Sequence, residues 1–238
     1  PDEKKTTVMD GHGGYMNGSR YYGEDLPINT WYMKRFAGLS EDGLSLWYYT
    51  DKETNEEKTT TTYSTGDFYL CGDPNPDLYG GFGTSITFHG FDLSTQFSYL
   101  VGGLTYDYGY AGMMGNPTAT SVGNRWHKDV LKAWSPENPS STIPRWYFND
   151  LNTTGSSDRF LIDGSYLNLQ NIQVGYTLPD SWTSHLKIKN LRLYFVCDNV
   201  YYWSKRKGLD PRRSISGVGT SGKIAPFRTY SGGISLQF

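Results

Sequence analysis

The last ten residues, Thr229–Phe238, read TYSGGISLQF. Tyr230, Gly232, Ile234, Leu236 and Phe238 fall on one face, and Thr229, Ser231, Gly233, Ser235 and Gln237 on the other. Alternation with a period of two specifies a strand with one apolar and one wet face. The pattern runs to a terminal Phe, and a large ring at a chain end needs a surface to hold it, because free ends fray. A transmembrane barrel provides that surface: its last strand pairs with its first, and outward side chains meet lipid. The length agrees, since a tilted strand crosses a bilayer in roughly 9–11 residues. A soluble sandwich strand alternates in the same way, so the rest of the chain has to decide.

Composition narrows the choice. Only 37% of the 238 residues are hydrophobic and mean hydropathy is −0.58, yet 16% are aromatic, with 20 Tyr and 7 Trp. No apolar run approaches the ~20 residues of a spanning helix. Low hydropathy, abundant Tyr and 28 Gly suit a barrel with a polar lumen, aromatic girdles and long loops. They also suit a secreted, aromatic-rich, sugar-binding sandwich. A net charge of −2 gives no reason to invoke nucleic acid. Cys71 in a loop and Cys197 on a strand read as two free thiols. Pro1 is not an initiator; the strand count below predicts a piece of a longer chain rather than a whole one.

Along the chain, residues 1–29 carry HGG, NGS and YYG and read as loop. Thr30–Asp51 predicts two short strands, Trp31–Phe36 and Ser45–Tyr49, around a glycine-flanked turn. Lys52–Thr65 is charged, Thr-rich and expected to be exposed, and Gly72–Phe82 is a hard turn before a strand. Phe82, Thr84, Ile86 and Phe88 then alternate with Gly83, Ser85, Thr87 and His89. After a turn at His89-Gly90-Phe91, Leu93, Thr95, Phe97, Tyr99 and Val101 alternate against Asp92, Ser94, Gln96 and Ser98. The greasy side is dominated by Phe and Tyr near the strand ends, as a lipid-facing girdle is, where a soluble core would carry more Val, Leu and Ile.

Ala111–Ser157 lacks a strand pattern over a length that ordinary connections do not reach. It predicts one helix, Arg125–Trp134, with Trp126, Val130 and Trp134 a turn apart and Pro136 beyond its end. Arg159–Leu178 predicts a long strand in which Ile172, Val174, Tyr176 and Leu178 are out of phase with Leu167 and Leu169. A bulge near Gln170–Asn171 reconciles them. Leu191, Leu193, Phe195 and Cys197 alternate with Arg192, Tyr194, Val196 and Asp198 in a strand ending near Trp203. The expected long strands are thus 79–89, 92–109, 160–178, 190–203 and 227–238, with Pro179–Asn190 a turn and Ser204–Pro226 a basic, Gly-rich loop.

Motifs with chemical content are few. Gly217–Lys223 satisfies G-x-x-x-x-G-K, but a phosphate loop needs a buried strand before it and a helix after it. Here Arg212-Arg213-Ser214 precedes, Ile224 replaces the magnesium-binding hydroxyl and Pro226 blocks a helix, so the stretch reads as loop. His12, His89, His127 and His185 have no metal-ligand spacing. Asp73 and Asp77 around Pro-Asn-Pro read as turn formers. Lys205-Arg206-Lys207 with Arg212-Arg213 is a basic run that meets solvent, anionic headgroups or a partner. No nucleophile, base and orienter stand out, so no enzyme, cofactor or metal is expected.

Taken in order, NPDLYGGF with FHGFDLS, WSPENP with Pro144-Arg145, SSDRFLIDGSYLNLQNIQVGYTLP, LRLYFVCDNVYYWSKRKGLDP and RTYSGGISLQF resemble the C-terminal region of the SusC/RagA-like TonB-dependent outer-membrane transporters. The Ala37-Gly38-Leu39-Ser40 stretch with Gly43 resembles a family loop in which Asp-Pro is the commoner version. The likeness covers most of Thr30–Phe238. The spacing Ser231, Gly233, Leu236, Phe238 resembles the signal read by the outer-membrane barrel-assembly machinery.

The resemblance implies an all-β, antiparallel transmembrane barrel of about 22 strands, of which this chain supplies the last five. It implies a plug and TonB box upstream, the TonB complex acting through that plug, and a SusD-like surface lipoprotein capping the mouth. The cargo is a glycan or peptide nutrient. Counting back from a periplasmic C-terminus puts Ser204–Pro226, Ala111–Ser157 and Pro1–Leu78 outside, and the His89–Phe91 and Pro179–Asn190 turns in the periplasm. Residues 1–78 are then mainly extracellular loop, and 79–238 are strands and their loops. Trp126, Trp134, Trp146, Tyr108 and Tyr110 are the candidate contacts to lid or cargo. Ile86, Phe97, Phe195 and Leu236 are expected to face outer-membrane lipid, and Ser85, Gln96, Asp198 and Gln237 the lumen. A passive porin or adhesin barrel, and a secreted carbohydrate-binding β-sandwich, stay open as other classes.

Overall fold

A computed structural model of the chain describes residues 7–9, 11–118, 123, 125–153, 155–183, 187–213, 216–218 and 226–238. The strands run β1 (Thr7–Met9), β2 (His12–Asn17), β3 (Arg20–Gly23), β4 (Thr30–Lys34), β5 (Phe36–Leu39), β6 (Ser45–Thr50), β7 (Glu57–Thr60) and β8 (Phe68–Leu70). They continue as β9 (Leu78–Phe88), β10 (Phe91–Val101), β11 (Leu104–Tyr106), β12 (Leu161–Asp163), β13 (Tyr166–Thr177), β14 (Asn190–Ser204) and β15 (Thr229–Gln237). Two short helices are α1 (Tyr108–Met113) and α2 (Asp180–Thr183). The chain divides into two compact units.

One unit comprises Pro76–Gly102, Gly164–Arg212 and Lys223–Phe238. It is an antiparallel sheet of order β15-β14-β13-β10-β9. The β9–β10 hairpin closes on two residues, His89 (φ 48°) and Gly90 (φ 83°), with Phe88 paired to Phe91. Two positive φ values make the primed turn whose twist matches its strands, so Phe91 belongs to the strand rather than to the turn. The bulge falls where the phase change requires it: Gln96 pairs with Asn171 and Phe97 with Leu169, leaving Gln170 as the extra residue. It returns Leu167 and Leu169 to the face of Ile172 and Val174.

Two expected strands are shorter than the alternation alone suggests. The second ends at Val101, because Gly102 (φ 82°) and Gly103 (φ 74°) turn the chain. A Cβ on Gly102 would lie 2.2 Å from Asp77 Oδ2, so this corner needs glycine. Residues beyond it form β11 and α1, and the segment expected to open the third long strand forms β12, which pairs with β11.

The other unit comprises Pro1–Asn75, Gly103–Asp163 and Arg213–Gly222. It holds the sheet β1-β2-β3-β4-β8, the sheet β5-β6-β7 and the β11–β12 pair. Residues 1–29, expected as loop, thus carry three strands. Their glycines permit close pairing instead of breaking it: a Cβ on Gly14 would lie 2.1 Å from Tyr22 O, and Tyr15 stacks on Tyr22 with centroids 5.3 Å apart. Lys52–Thr65, expected to be exposed and showing no strand period, contains β7, paired with β6. The first strand expected near Trp31 divides at Arg35: β4 pairs with β3 and β8, and β5 with β6.

Trp31, Met33, Tyr106, Met114 and Phe160 form the core of this unit. The Trp31 indole donates to Leu104 O at 3.1 Å. Arg20 lies over the Trp31 ring at 3.1 Å and donates to the carbonyls of Asn29 and Ser216; burial lowers its pKa to about 10. Lys34, only 4% exposed, donates to the carbonyls of Tyr63 (2.5 Å), Ser64 (3.1 Å) and Gly66 (2.6 Å). A buried ammonium without such acceptors would be prohibitive.

Candidate functional site

The five-stranded sheet sorts its side chains by face. Across the register, Phe88, Phe91, Tyr176, Leu193 and Ile234 form one rung, and Ile86, Leu93, Val174, Phe195 and Gly232 the next. Thr84, Thr95, Ile172, Cys197 and Tyr230 follow, then Phe82, Phe97, Leu169 and Tyr201. Aromatic side chains dominate the end rungs, and small or aliphatic ones the middle, Phe195 and Tyr230 excepted. From Phe91 to Tyr99 the face runs about 26 Å along the strand, or about 20 Å at a tilt of ~40°, close to the apolar band of an outer-membrane barrel. Phe88 is 69% exposed, Ile234 64% and Ile86 57%. A continuous uncovered apolar face of this extent marks a surface that meets something other than water.

The opposite face is polar. Ser85, Gln96, Asp198 and Gln237 share it, and Ile86, Phe97, Phe195 and Leu236 share the apolar one, as the alternation requires. Arg192 clamps Asp92 here with two hydrogen bonds of 2.9 and 2.5 Å, and Asn171 Nδ2 donates to Asp198 Oδ1 at 2.7 Å. Nearer the other end, Arg212 donates twice to Asp210 at 2.8 Å, once to Asn168 at 2.7 Å and once to Asn199 at 3.0 Å. These groups satisfy one another along a wall that water can wet.

On β15, Ser231 and Gly233 stand on the polar face opposite Val196 and Tyr194, and Leu236 on the apolar face opposite Leu191. Gly233 makes room for a ring: a Cβ there would lie 2.4 Å from the Tyr194 hydroxyl. Phe238 is 72% exposed. Its backbone is held, with Lys189 N donating to Gln237 O at 2.8 Å and Lys189 Nζ to Phe238 O at 3.1 Å.

In the other unit, Trp126 and Trp146 meet edge to face at 5.6 Å, and the Trp126 indole donates to Gly115 O at 3.0 Å. The helix expected over Arg125–Trp134 is a 3₁₀ segment, Lys128–Lys132, capped by His127. It stops early because Trp134 N bonds across the loop to Ile143 O at 2.9 Å. Trp134 covers Gly43, whose Cβ would lie 2.3 Å from the indole. Tyr110 packs on Phe160 and donates to Asp129 Oδ2 at 3.1 Å; hydrogen bonding from Lys132, with help from Tyr110, lowers the Asp129 pKa. Tyr108 lies against Tyr106 at 4.4 Å. Trp146 is 42% exposed, and Tyr147 and Phe148 are about 60% exposed. Trp146 is among the expected contacts, but its exposed neighbours Tyr147 and Phe148 are not.

No protein-family model matches this chain. It is 29% identical over 235 residues to the TonB-dependent receptor P3 of Formosa agariphila, covering 94% of this chain and 22% of the receptor. It is 27% identical over 180 residues to the TonB-dependent receptor SusC of Bacteroides thetaiotaomicron, covering 74% of this chain and 17% of SusC. Its structure superposes on the RagAB peptide importer in the 'open-open' state with TM-score 0.73 at 26% identity, over 98% of this chain and 25% of that one. The chain resembles the SusC/RagA-like TonB-dependent outer-membrane transporters in sequence and in fold.

As a SusC/RagA-like segment it spans about a quarter or less of the matched chains, and its long antiparallel strands are wall of a transmembrane β-barrel. The matched relatives are receptors and importers rather than enzymes. Within this SusC/RagA-like segment, Trp126 and Trp146 come together, whereas Trp134 and Tyr110 are packed into the loop unit. The remaining motifs are local structure. Asp73 Oδ1 accepts from Asn75 N at 2.9 Å in a turn, His89 is a turn residue and His127 a cap. His185 and residues 219–223 of the G-x-x-x-x-G-K stretch lie outside the described residues. Among the described residues no group of His, Cys, Asp and Glu has metal-binding geometry.

Proposed function

We propose that this chain forms part of the barrel wall and the extracellular loops of an energy-coupled importer of glycan or peptide nutrients. The observation that carries the reading is the shared course with a RagA-type importer, in loops as well as strands, over 98% of the chain. In this reading the apolar rungs seal against outer-membrane lipid, and the polar face, with Arg192, Asp92 and Asp198, lines the hydrated interior around a plug supplied elsewhere. The TonB complex acts on that plug. A SusD-like lipoprotein sits over the loops, and Trp146 with Trp126 behind it presents an aromatic surface to lid or cargo; Tyr108 lies in the same loop region. Aromatic side chains suit that task because they offer large contact area with few rotors to freeze. The C-terminus lies in the periplasm, and Ser231, Gly233, Leu236 and Phe238 form the strand read during barrel assembly.

The test is uptake of labelled oligosaccharides and peptides by cells that carry the complete transporter, with and without a working TonB complex. Uptake that depends on TonB is expected. Equal uptake in both strains identifies a passive porin. Protease shaving of epitope tags placed after Glu137 and after Thr183 checks orientation: the first is expected to be cleaved on intact cells, the second protected.

A further inference from the structure

At one end of the sheet, β14 leaves through Tyr201, Tyr202 and Trp203 to the basic run Lys205-Arg206-Lys207, and the chain returns to β15 through Pro226 and Arg228. These segments border a groove of about 440 Å³. Its lining has two characters. Tyr201 and Trp203 lie edge to face at 4.8 Å, each 48% exposed, and both belong to the apolar face. Lys207 and Arg228 are also exposed, and among the described residues neither forms an ion pair. The third cation of the groove, Arg212, is already neutralised by Asp210 and lies over Tyr202 at 4.5 Å. The charge on offer is therefore that of Lys207 and Arg228.

Position gives this charge its meaning. Arg228 precedes Tyr230 by two residues, so the alternation of β15 carries it toward the apolar face. The rungs below it, Tyr230, Phe195 and Ile234, are the uncovered apolar surface. Trp and Tyr favour the boundary between hydrocarbon and headgroups, and Lys or Arg at a strand end reaches outward into the headgroup layer. Arg228, hydrogen-bonded to Tyr230 of that face, and Lys207 in the same groove match a molecule with an anion above acyl chains.

We propose that this groove binds the phosphate-bearing headgroup of a membrane lipid, with Lys207 and Arg228 on the phosphate and the acyl chains along Tyr201, Tyr230 and Phe195. The site rests on the barrel fold and not on the import reading, so either can fail alone. A soluble phosphate would need the two cations but not the apolar rungs, which is why the lipid is the occupant chosen.

The complete transporter in detergent is titrated with phosphatidylglycerol, with a diacylglycerol of the same chains lacking phosphate, and with inorganic phosphate, and bound lipid is read by native mass spectrometry. Phosphatidylglycerol is expected to bind and the other two not. Loss of affinity of about fivefold per cation, about 30-fold for Lys207→Ala with Arg228→Ala together, follows from the contribution of a basic residue at an anionic surface. Lys187→Ala, before β14 at the other end of the sheet, leaves binding unchanged. Equal binding of diacylglycerol, equal binding of inorganic phosphate, or undiminished phosphatidylglycerol binding by the double variant each overturns the site. If the double variant does not fold, Lys207→Gln and the wild-type comparison of the three probes decide.

Discussion

Arg192 holds Asp92 from one hundred residues away, its Nε donating to Oδ1 at 2.9 Å and its Nη2 to Oδ2 at 2.5 Å. The pair passes over Gly175, which lies beside Asp92 in the register. A Cβ on Gly175 would stand 2.4 Å from Asp92 Oδ1 and 2.5 Å from Arg192 Nη2. Gly175→Val is therefore expected to split the pair, with a crowding cost of about 1–3 kcal/mol. A double-mutant cycle with Asp92→Asn and Arg192→Gln should return a coupling of about 1 kcal/mol, the upper range for pairs that keep some contact with water. Denaturant unfolding of the assembled barrel measures both. A Gly175→Val cost that persists undiminished in an Asp92→Ala, Arg192→Ala background, where the crowding atoms are gone, would show that the glycine serves something else.

The two faces of the sheet should respond differently to charge. Arg at Phe195 or Val174, in the middle of the apolar face, is expected to cost about 2–4 kcal/mol, while Arg at Gln96 on the polar face is tolerated. The fraction of folded barrel against denaturant, reconstituted in vesicles, reports the difference. Equal costs on both faces would mean that the apolar rungs do not meet lipid.

Phe238 is expected to act in assembly. Its ring is exposed at the end of the apolar face, while only its backbone carbonyl is held, by Lys189. Closing a barrel seam satisfies backbone groups that would each cost several kcal/mol unpaired in lipid, and the strand must be selected before that seam exists. Removing Phe238 should lower the amount of heat-modifiable barrel in the outer membrane without lowering uptake per barrel. Normal abundance with slower uptake per barrel would assign the ring to transport instead.

Burial raises the pKa of Asp158 above its ordinary 3.8, although its Oδ1 accepts the Phe36 N–H at 2.8 Å. The unfolded carboxyl ionises first as pH rises, so the native state binds more protons between the two values and stability falls there. The contribution is complete below pH 3.8 and is lost as pH rises through the folded value. Asp158→Asn keeps an acceptor for Phe36 and carries no charge to bury. Its stability relative to the parent chain should be constant below pH 3.8 and then grow with pH until it levels off. Tryptophan fluorescence during unfolding at a series of pH values follows this, and a difference independent of pH would remove burial of the charge as the cause.

Much of the sheet could be read from the chain because a strand in a barrel wall faces two unlike media. Each residue must choose between them, so Phe82 to Phe88, Leu93 to Val101 and Leu191 to Cys197 declare their face one by one. The phase change between Leu169 and Ile172 even placed the bulge near Gln170–Asn171, and the register makes Gln170 the extra residue. The loop unit follows no such rule. Glycines that usually punctuate turns sit inside β2 and β3, where Gly14 lets Tyr22 approach. The spacing of Trp126 and Trp134 suggested a helix face, yet a hydrogen bond from Trp134 to Ile143 takes the chain out of helix.

Within the five-stranded sheet, sequence alone determined which segments are strands and which faces are apolar and wet, because alternation with a period of two is local and needs no partner to be visible. Tertiary structure decided which distant residues meet. The pairing of Arg192 with Asp92 across Gly175, the burial of Lys34 among three carbonyls and the edge-to-face contact of Trp126 with Trp146 depend on register and chain return. Those are fixed only when the backbone hydrogen bonds of separate segments close together, and no local pattern encodes them.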